Sequence, residues 1–154
     1  MIRFRHFSQY DFLEHGITEI GDDIPGGLVQ GQQTHEDQMA WADHDSPRLP
    51  NMVPGVDALM TKTSGVPVSV RVADCVPIFI VHPQKKIVGV IHAGWRGTAL
   101  SIARKTVQAL FDQERIPGHQ LHVGIGPAIG PQGFYIPAFL LVLGSAFVQF
   151  KQSS

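Results

Sequence analysis

The sequence predicts one α+β domain, on three observations. Closely spaced β-branched runs lie between Val66 and His92, a single amphipathic helical pattern runs from about Thr98 to Glu114, and the 154 residues are 44% hydrophobic and 16% charged, the balance of an ordinary globular chain. A domain of this length buries roughly 68–70% of the surface that its unfolded chain exposes, so a core forms without covalent staples. The chain holds no internal repeat and no low-complexity tract.

Taken in order, Ile2 to Phe7 alternates charged and apolar residues and predicts a strand, and Gly27 to Thr34, entered through the Pro25-Gly26 turn, predicts a second. The segment from Asp43 to Gly55 has three prolines and almost no periodicity, which reads as a surface loop and a candidate lid. Val66–Ala73, Val76–His82 and Lys86–His92 form the expected sheet core, with a hairpin turn over Pro83 to Lys86. This arrangement puts Cys75 and His92 at strand ends. Ala99, Ala103, Val107, Leu110 and Phe111, with Leu100 beside them, recur at helical spacing, so they predict the buried face of a helix that Thr98 caps and Pro117-Gly118 stops. Leu121 to Ile125 predicts one more strand, ending at Gly126-Pro127. Phe134 to Phe150 is the most apolar stretch, but Pro137 and Gly144 interrupt it and it falls short of the roughly 20 apolar residues that span a bilayer. It reads as a buried tail.

Composition narrows the function. Twelve basic residues stand against 13 acidic ones, a formal net charge of −1, so the basic stripe that neutralises a nucleic-acid backbone is not there. One cysteine, Cys75, rules out an intramolecular disulfide, a CxxC pair and any four-cysteine metal site within the chain, and fits a reducing cytoplasm. The opening MIRFRHFSQY lacks the apolar core of a secretory signal, so no export is expected.

Most of the eight histidines are expected to be structural, including His119 and His122, which read as surface loop. Three residues stand out by their neighbours: His35 in QQTHED, Cys75 in VADCVP and His92 in VIHAGWRG. Two histidines and a cysteine are three ligands that Zn²⁺ favours, with a fourth tetrahedral position open for water or substrate. Their separations (75 − 35 = 40 and 92 − 75 = 17) match no local zinc motif, so the fold has to bring them together. Two other roles for Cys75 stay open: a small buried hydrophobe, or a thiolate nucleophile activated by His92 as in a cysteine hydrolase. Asp74 either hydrogen-bonds a ligating histidine or caps a strand-end turn. Arg96, set between Gly94 and Gly97 before the helix, and Arg71, on the strand leading to Cys75, are candidate grips for phosphate or carboxylate. The spacing Gly124-Ile-Gly126-Pro-Ala-Ile-Gly130 departs from a dinucleotide loop, and Pro127 removes a donor N–H such a loop requires.

Five blocks in order, Gln33-Thr34-His35, Asp57-Ala58-Leu59-Met60-Thr61, Ala73-Asp74-Cys75-Val76-Pro77, His92-Ala93-Gly94-Trp95-Arg96-Gly97-Thr98 and Gly126-Pro127-Ala128-Ile129-Gly130, resemble the YfiH-type family. Its members are labelled multicopper polyphenol oxidoreductases or laccase-domain proteins and act as zinc-dependent purine nucleoside enzymes. The resemblance implies mixed β-sheets flanked by helices, in a single YfiH-like domain over 1–154 with the family motifs on about 28–135. It implies metal ligation by His35, Cys75 and His92. It also implies phosphorolysis of adenosine, inosine, guanosine and methylthioadenosine to base and pentose 1-phosphate, and hydrolytic deamination of adenosine.

The chain departs from the family pattern where a Ser-x-Arg-x-Gly-Gly block is absent before Gln33 and where Gln132-Gly133-Phe134-Tyr135-Ile136 replaces a run of cysteine, aromatic, Glu and Val. Members also continue beyond this point, so the resemblance implies a domain incomplete at its C-terminus. The multicopper label fails on donor arithmetic, because a trinuclear cluster is fed by paired HxH motifs and none occurs here. One cysteine and two histidines suit a single zinc, although copper would bind the same ligands more tightly in vitro.

The leading expectation is therefore zinc on His35, Cys75 and His92, activating water at purine C6 or orienting a nucleoside for phosphate attack. Arg96 and Arg71 would hold phosphate, and Asp74 is the candidate general acid or base. The alternatives are a Cys75/His92 cysteine hydrolase and a non-catalytic binding module. Expected partners are a purine nucleoside and phosphate, without nucleic acid or membrane. Self-association is expected through uncovered sheet edges.

Overall fold

Alternation along each strand decides which way its side chains face, and here it builds three layers. The structure, a computed structural model, describes residues 1–18, 22–130 and 144–150. Its strands are β1 (Leu13–Ile17), β2 (Val29–Gln30), β3 (Met39–Ala42), β4 (Ala58–Thr61), β5 (Val68–Val72), β6 (Val76–His82), β7 (Ile87–Ala93), β8 (His122–Ile125) and β9 (Gly144–Phe150). Helices α1 (Trp95–Ala99) and α2 (Ile102–Glu114) follow β7. One sheet has the order β1-β9-β5-β2 and the other β3-β4-β7-β6-β8.

Val68, Val70 and Val72 of the first sheet meet Leu59, Phe79, Val81, Val88 and Val90 of the second in one buried cluster between the sheets. The opposite parity of the second sheet (Ala58, Met60, Ile80, Ile87 and Ile91) packs against Ile102 and Leu110 of α2 and the buried Ile116 beyond it. This is the predicted α+β class with mixed sheets: β3 and β4 pair in parallel, whereas β4, β6 and β7 pair antiparallel.

Several expectations change. Ile2 to Phe7 is not a strand; Ile2 makes a single bridge to Ile17, and the chain then coils into a 3-10 turn over Arg5–Gln9. That turn folds Phe7 fully inward against Phe4 and His15, while Phe4 meets Phe79, so aromatic packing wins over alternation. The strand of this region is β1. Gly27 to Thr34 shortens to β2, because the chain leaves the sheet to form the His35 turn. The run at Val66–Ala73 is a strand, but it lies in the other sheet from β6 and β7. Sheet membership depends on partners far away in sequence, β9 and β2, that local pattern cannot show.

The single helix expected from Thr98 is two. α1 begins at Trp95 with Gly94 as its N-cap, and Ser101 at φ 64° separates it from α2, so Thr98 lies inside α1 and caps nothing. The buried face of α2 is Ile102, Thr106 and Leu110, while Leu100 and Phe111 are exposed. Arg115 ends α2 in the left-handed region, its N–H bonded to Phe111 O at 2.9 Å, before Pro117-Gly118 stops it as predicted. Lys86 (φ 49°) closes the predicted turn between β6 and β7. His119 is in a 3-10 turn, and His122 opens β8 instead of lying in a loop, bonded to the Tyr10 hydroxyl at 3.0 Å. Of the apolar stretch Phe134–Phe150, the last part is β9, inserted between β1 and β5; 131–143, with the departures at Gln132 to Ile136, lies outside the described residues.

Candidate metal centre

The site assembles at one end of the second sheet because of strand direction. β7 runs antiparallel to both β4 and β6, so the end of β7, which carries His92, lies beside the starts of its neighbours. Cys75 is the residue before β6, and Asp57 the residue before β4. The His92 N–H donates to Asp57 O at 2.7 Å, extending the β4–β7 ladder by one step. β3 pairs in parallel with β4, so the turn before β3 delivers His35 to the same end.

That turn is held by side chains. Gln33 (φ 60°) and His35 (φ 61°) both occupy the left-handed region, a conformation that costs a non-glycine residue energy and persists where its surroundings compensate. Compensation comes from Asp57, whose Oδ1 accepts the His35 N–H at 3.1 Å and whose Oδ2 accepts the Glu36 N–H at 3.0 Å and the Thr34 hydroxyl at 3.3 Å. Gln33 adds a reciprocal pair: its Nε2 donates to Arg71 O at 2.8 Å and its Oε1 accepts the Arg71 N–H at 2.6 Å. The amide side chain thus imitates a strand partner for β5 and ties the His35 turn to the strand that leads to Cys75.

His35, Cys75 and His92 converge. Their ligand atoms all lie within 4.8 Å of one another, with His35 exposed, Cys75 half-buried and His92 buried. Gly94 forms the floor: a Cβ there would stand 3.1 Å from Cys75 Sγ, 3.1 Å from His35 Nδ1 and 3.7 Å from His92 Cε1. The space that glycine leaves open is therefore the space the donors face, which fits a resident metal ion. Gly97 serves packing: its missing Cβ lets α1 rest on Glu36 O, 2.8 Å from where that carbon would be.

Electrostatics favours the same use. His92 Nδ1–H donates to the Asp57 carboxylate at 2.8 Å, leaving Nε2 as the free donor. Burial, aided by the neighbouring His35, lowers the His92 pKa against the opposing pull of Asp57 and Asp74, which keeps the ring neutral, the form that ligates. The Cys75 thiol is pushed up to about 12, by burial first and then by the carboxylates of Asp74 and Asp57. A thiol so protonated is a poor nucleophile on its own and needs a cation beside it to ionise.

Asp74 does not bond a ligating histidine, as one expectation had it. It is exposed, its Oδ1 accepts the Cys75 S–H at 3.3 Å, and its carbonyl accepts the Ile129 N–H at 3.0 Å. The histidine's carboxylate partner is Asp57, which the sequence reading left without a role. The signal was there: an acid immediately before the apolar run Ala58-Leu59-Met60 must find donors once buried. Arg71 and Arg96 are both exposed, the first late in β5 and the second in α1.

Comparison with known proteins then places the chain. The family model described as multi-copper polyphenol oxidoreductase laccase matches residues 19–149. The chain belongs to this family. A Geobacillus stearothermophilus protein named purine nucleoside phosphorylase YlmD is 51% identical over 79 residues, covering 51% of this chain and 29% of the relative. Its crystal structure superposes with a TM-score of 0.72 at 30% identity, over 80% of this chain and 60% of that one. A prokaryotic protein named adenosine deaminase RL5 is 37% identical over 116 residues, 72% of this chain and 44% of the relative. The crystal structure of Bacillus licheniformis YfiH matches with a TM-score of 0.64 at 33% identity, over 67% of this chain and 40% of that one. The chain thus spans less than half the length of these two curated relatives. Despite the family's description, the donors here suit one ion: among the described residues, the metal-capable cluster is the single set His35, Cys75 and His92.

Proposed function

We propose that this chain carries the zinc site of a purine nucleoside enzyme. The observation that carries the reading is the convergence of His35, Cys75 and His92 within 4.8 Å over Gly94. Relatives named purine nucleoside phosphorylase and adenosine deaminase support the substrate class, and the resemblance to the YfiH-type family implies phosphorolysis of adenosine, inosine, guanosine or methylthioadenosine and deamination of adenosine as the reactions. When bound there, zinc supplies Lewis acidity that activates water or polarises a substrate oxygen.

The chain's own residues do the rest. His92 offers Nε2 because Asp57 holds the proton on Nδ1. Cys75 would give up its proton once a cation is bound beside it, and Asp74, whose Oδ1 accepts the thiol S–H, is our candidate to take that proton and to serve as the acid or base. Arg96 and Arg71 are assigned to the phosphate, which a guanidinium grips through paired hydrogen bonds. The raised thiol pKa weighs against a Cys75/His92 cysteine hydrolase. Among the described residues no helix is long and apolar enough to cross a membrane, and the lone cysteine suits a cytoplasmic site. Val123 and Ile125, exposed on β8, the last strand of its sheet among the described residues, support self-association.

Elemental analysis of purified wild type and Cys75→Ala, with adenosine turnover in phosphate followed on the same samples, tests the reading. Stoichiometric zinc lost with Cys75, together with turnover, is the expected result. Zinc without turnover points to a binding module, and no metal overturns the proposal.

A further inference from the structure

We propose that Asp57 is the positioning residue of this site, one buried carboxylate that locks both histidines for a divalent cation; the inference rests on the metal reading above. Asp57 is fully buried, and among the described residues its ion-pair partner is His92, with no lysine or arginine in reach. Burying a carboxylate without a cation is costly, and four donors meet this one: the His35 N–H, the His92 Nδ1–H, the Glu36 N–H and the Thr34 hydroxyl.

Each bond has a consequence for the metal. The His92 bond selects the tautomer that leaves Nε2 bare and raises its basicity. The His35 and Glu36 bonds hold the backbone of His35 at φ 61°, and so aim its ring at Cys75 and Gly94. Charge points the same way: a dication balances the Cys75 thiolate and the buried Asp57 carboxylate, while the Asp74 carboxylate, also beside the thiol, is exposed to solvent. Asp57 touches neither the ion nor the substrate. It acts through the histidines.

The test uses the chain without metal, titrated with Co²⁺ and Zn²⁺, and compares wild type with Asp57→Asn. In that variant the side-chain amide N–H₂ would replace one acceptor oxygen and face the donors of Glu36 or His35. The expected result is a wild type that binds one Co²⁺ with a thiolate charge-transfer band, and a variant with the wild-type circular dichroism spectrum whose affinity falls about 10–100-fold. Imidazole ¹⁵N shifts of metal-free wild type should show His92 protonated on Nδ1 and bare on Nε2, a readout that stands even where the variant fails to fold. Equal affinity in a folded variant, or an Nε2–H tautomer in the wild type, overturns the role of Asp57 while leaving the metal site intact. A wild type that binds neither ion overturns the metal reading itself.

Discussion

Gly94→Ala should abolish tight metal binding while leaving the fold in place. The added Cβ would lie 3.1 Å from both Cys75 Sγ and His35 Nδ1. Comfortable contacts of carbon start at about 3.5 Å, so each donor has to retreat by roughly 0.4 Å, about twice the ~0.2 Å tolerance of a metal–ligand distance. An affinity loss of 10–100-fold, about 1.4–2.7 kcal/mol, is the minimum expected, since disturbing a mere outer partner already costs that much. The backbone imposes no penalty of its own: Gly94 sits at φ −73° and ψ 173°, extended geometry that alanine adopts freely. Metal-free stability should stay within about 1 kcal/mol, a melting shift of about 2–4 °C at this chain length. Zinc competition against a chromophoric chelator, with thermal melts of the metal-free proteins, reads both quantities. An alanine variant that binds zinc as tightly as wild type would show that the three donors do not share the space over Gly94.

Other outcomes follow from the same structure. Gly89→Ala would push a Cβ to 2.0 Å from Met60 Sδ and 2.7 Å from Leu59 O, so it should lose roughly 1–3 kcal/mol of stability, and Met60→Ala should cost less in that variant than in wild type; denaturant titration of the single and double variants checks this. His15 is buried among Phe4, Phe7 and Phe79 with its Nε2 accepting the Phe4 N–H at 2.8 Å, and burial, aided by Arg3, lowers its pKa. The unfolded chain therefore takes up a proton near 6.5 that the folded one resists, so stability is full above that value and falls as pH drops through the lower folded pKa; His92 adds in the same direction. Melts from pH 7.5 to 5 should show this fall, and His15→Gln should reduce its slope; an unchanged slope would remove His15 as its source. Cys75, at about 12 rather than 9.0, should have its thiolate fraction cut about a thousandfold at neutral pH, so alkylation of the metal-free protein by iodoacetamide should lag far behind a free cysteine. Rapid labelling would refute the protonated thiol.

Local pattern was enough for much of this molecule. β6, β7 and the turn between them stand where the β-branched runs and Pro83 put them, because a hairpin is specified by residues adjacent in sequence. The chemistry of the donors was legible as well: a histidine, a cysteine and a histidine at strand ends are what zinc takes, whatever the fold. Local pattern failed at Ile2 to Phe7, where Phe4 packs on Phe79 and Phe7 on Phe4, and at Thr98, which a helix begun at Trp95 absorbs.

Residue types, and the neighbours each has in sequence, thus named three candidate donors, whose spacings match no local zinc motif. Their meeting was a matter of register: the antiparallel pairing of β7 with β4 and β6, and the parallel pairing of β3 with β4, bring residues 35, 57, 75 and 92 to one sheet end. Asp57 shows the difference most clearly. Its neighbours in sequence are apolar, and its partners His35 and His92 are 22 and 35 residues away, so its role exists only once hydrogen-bonded strands have paid for bringing them together.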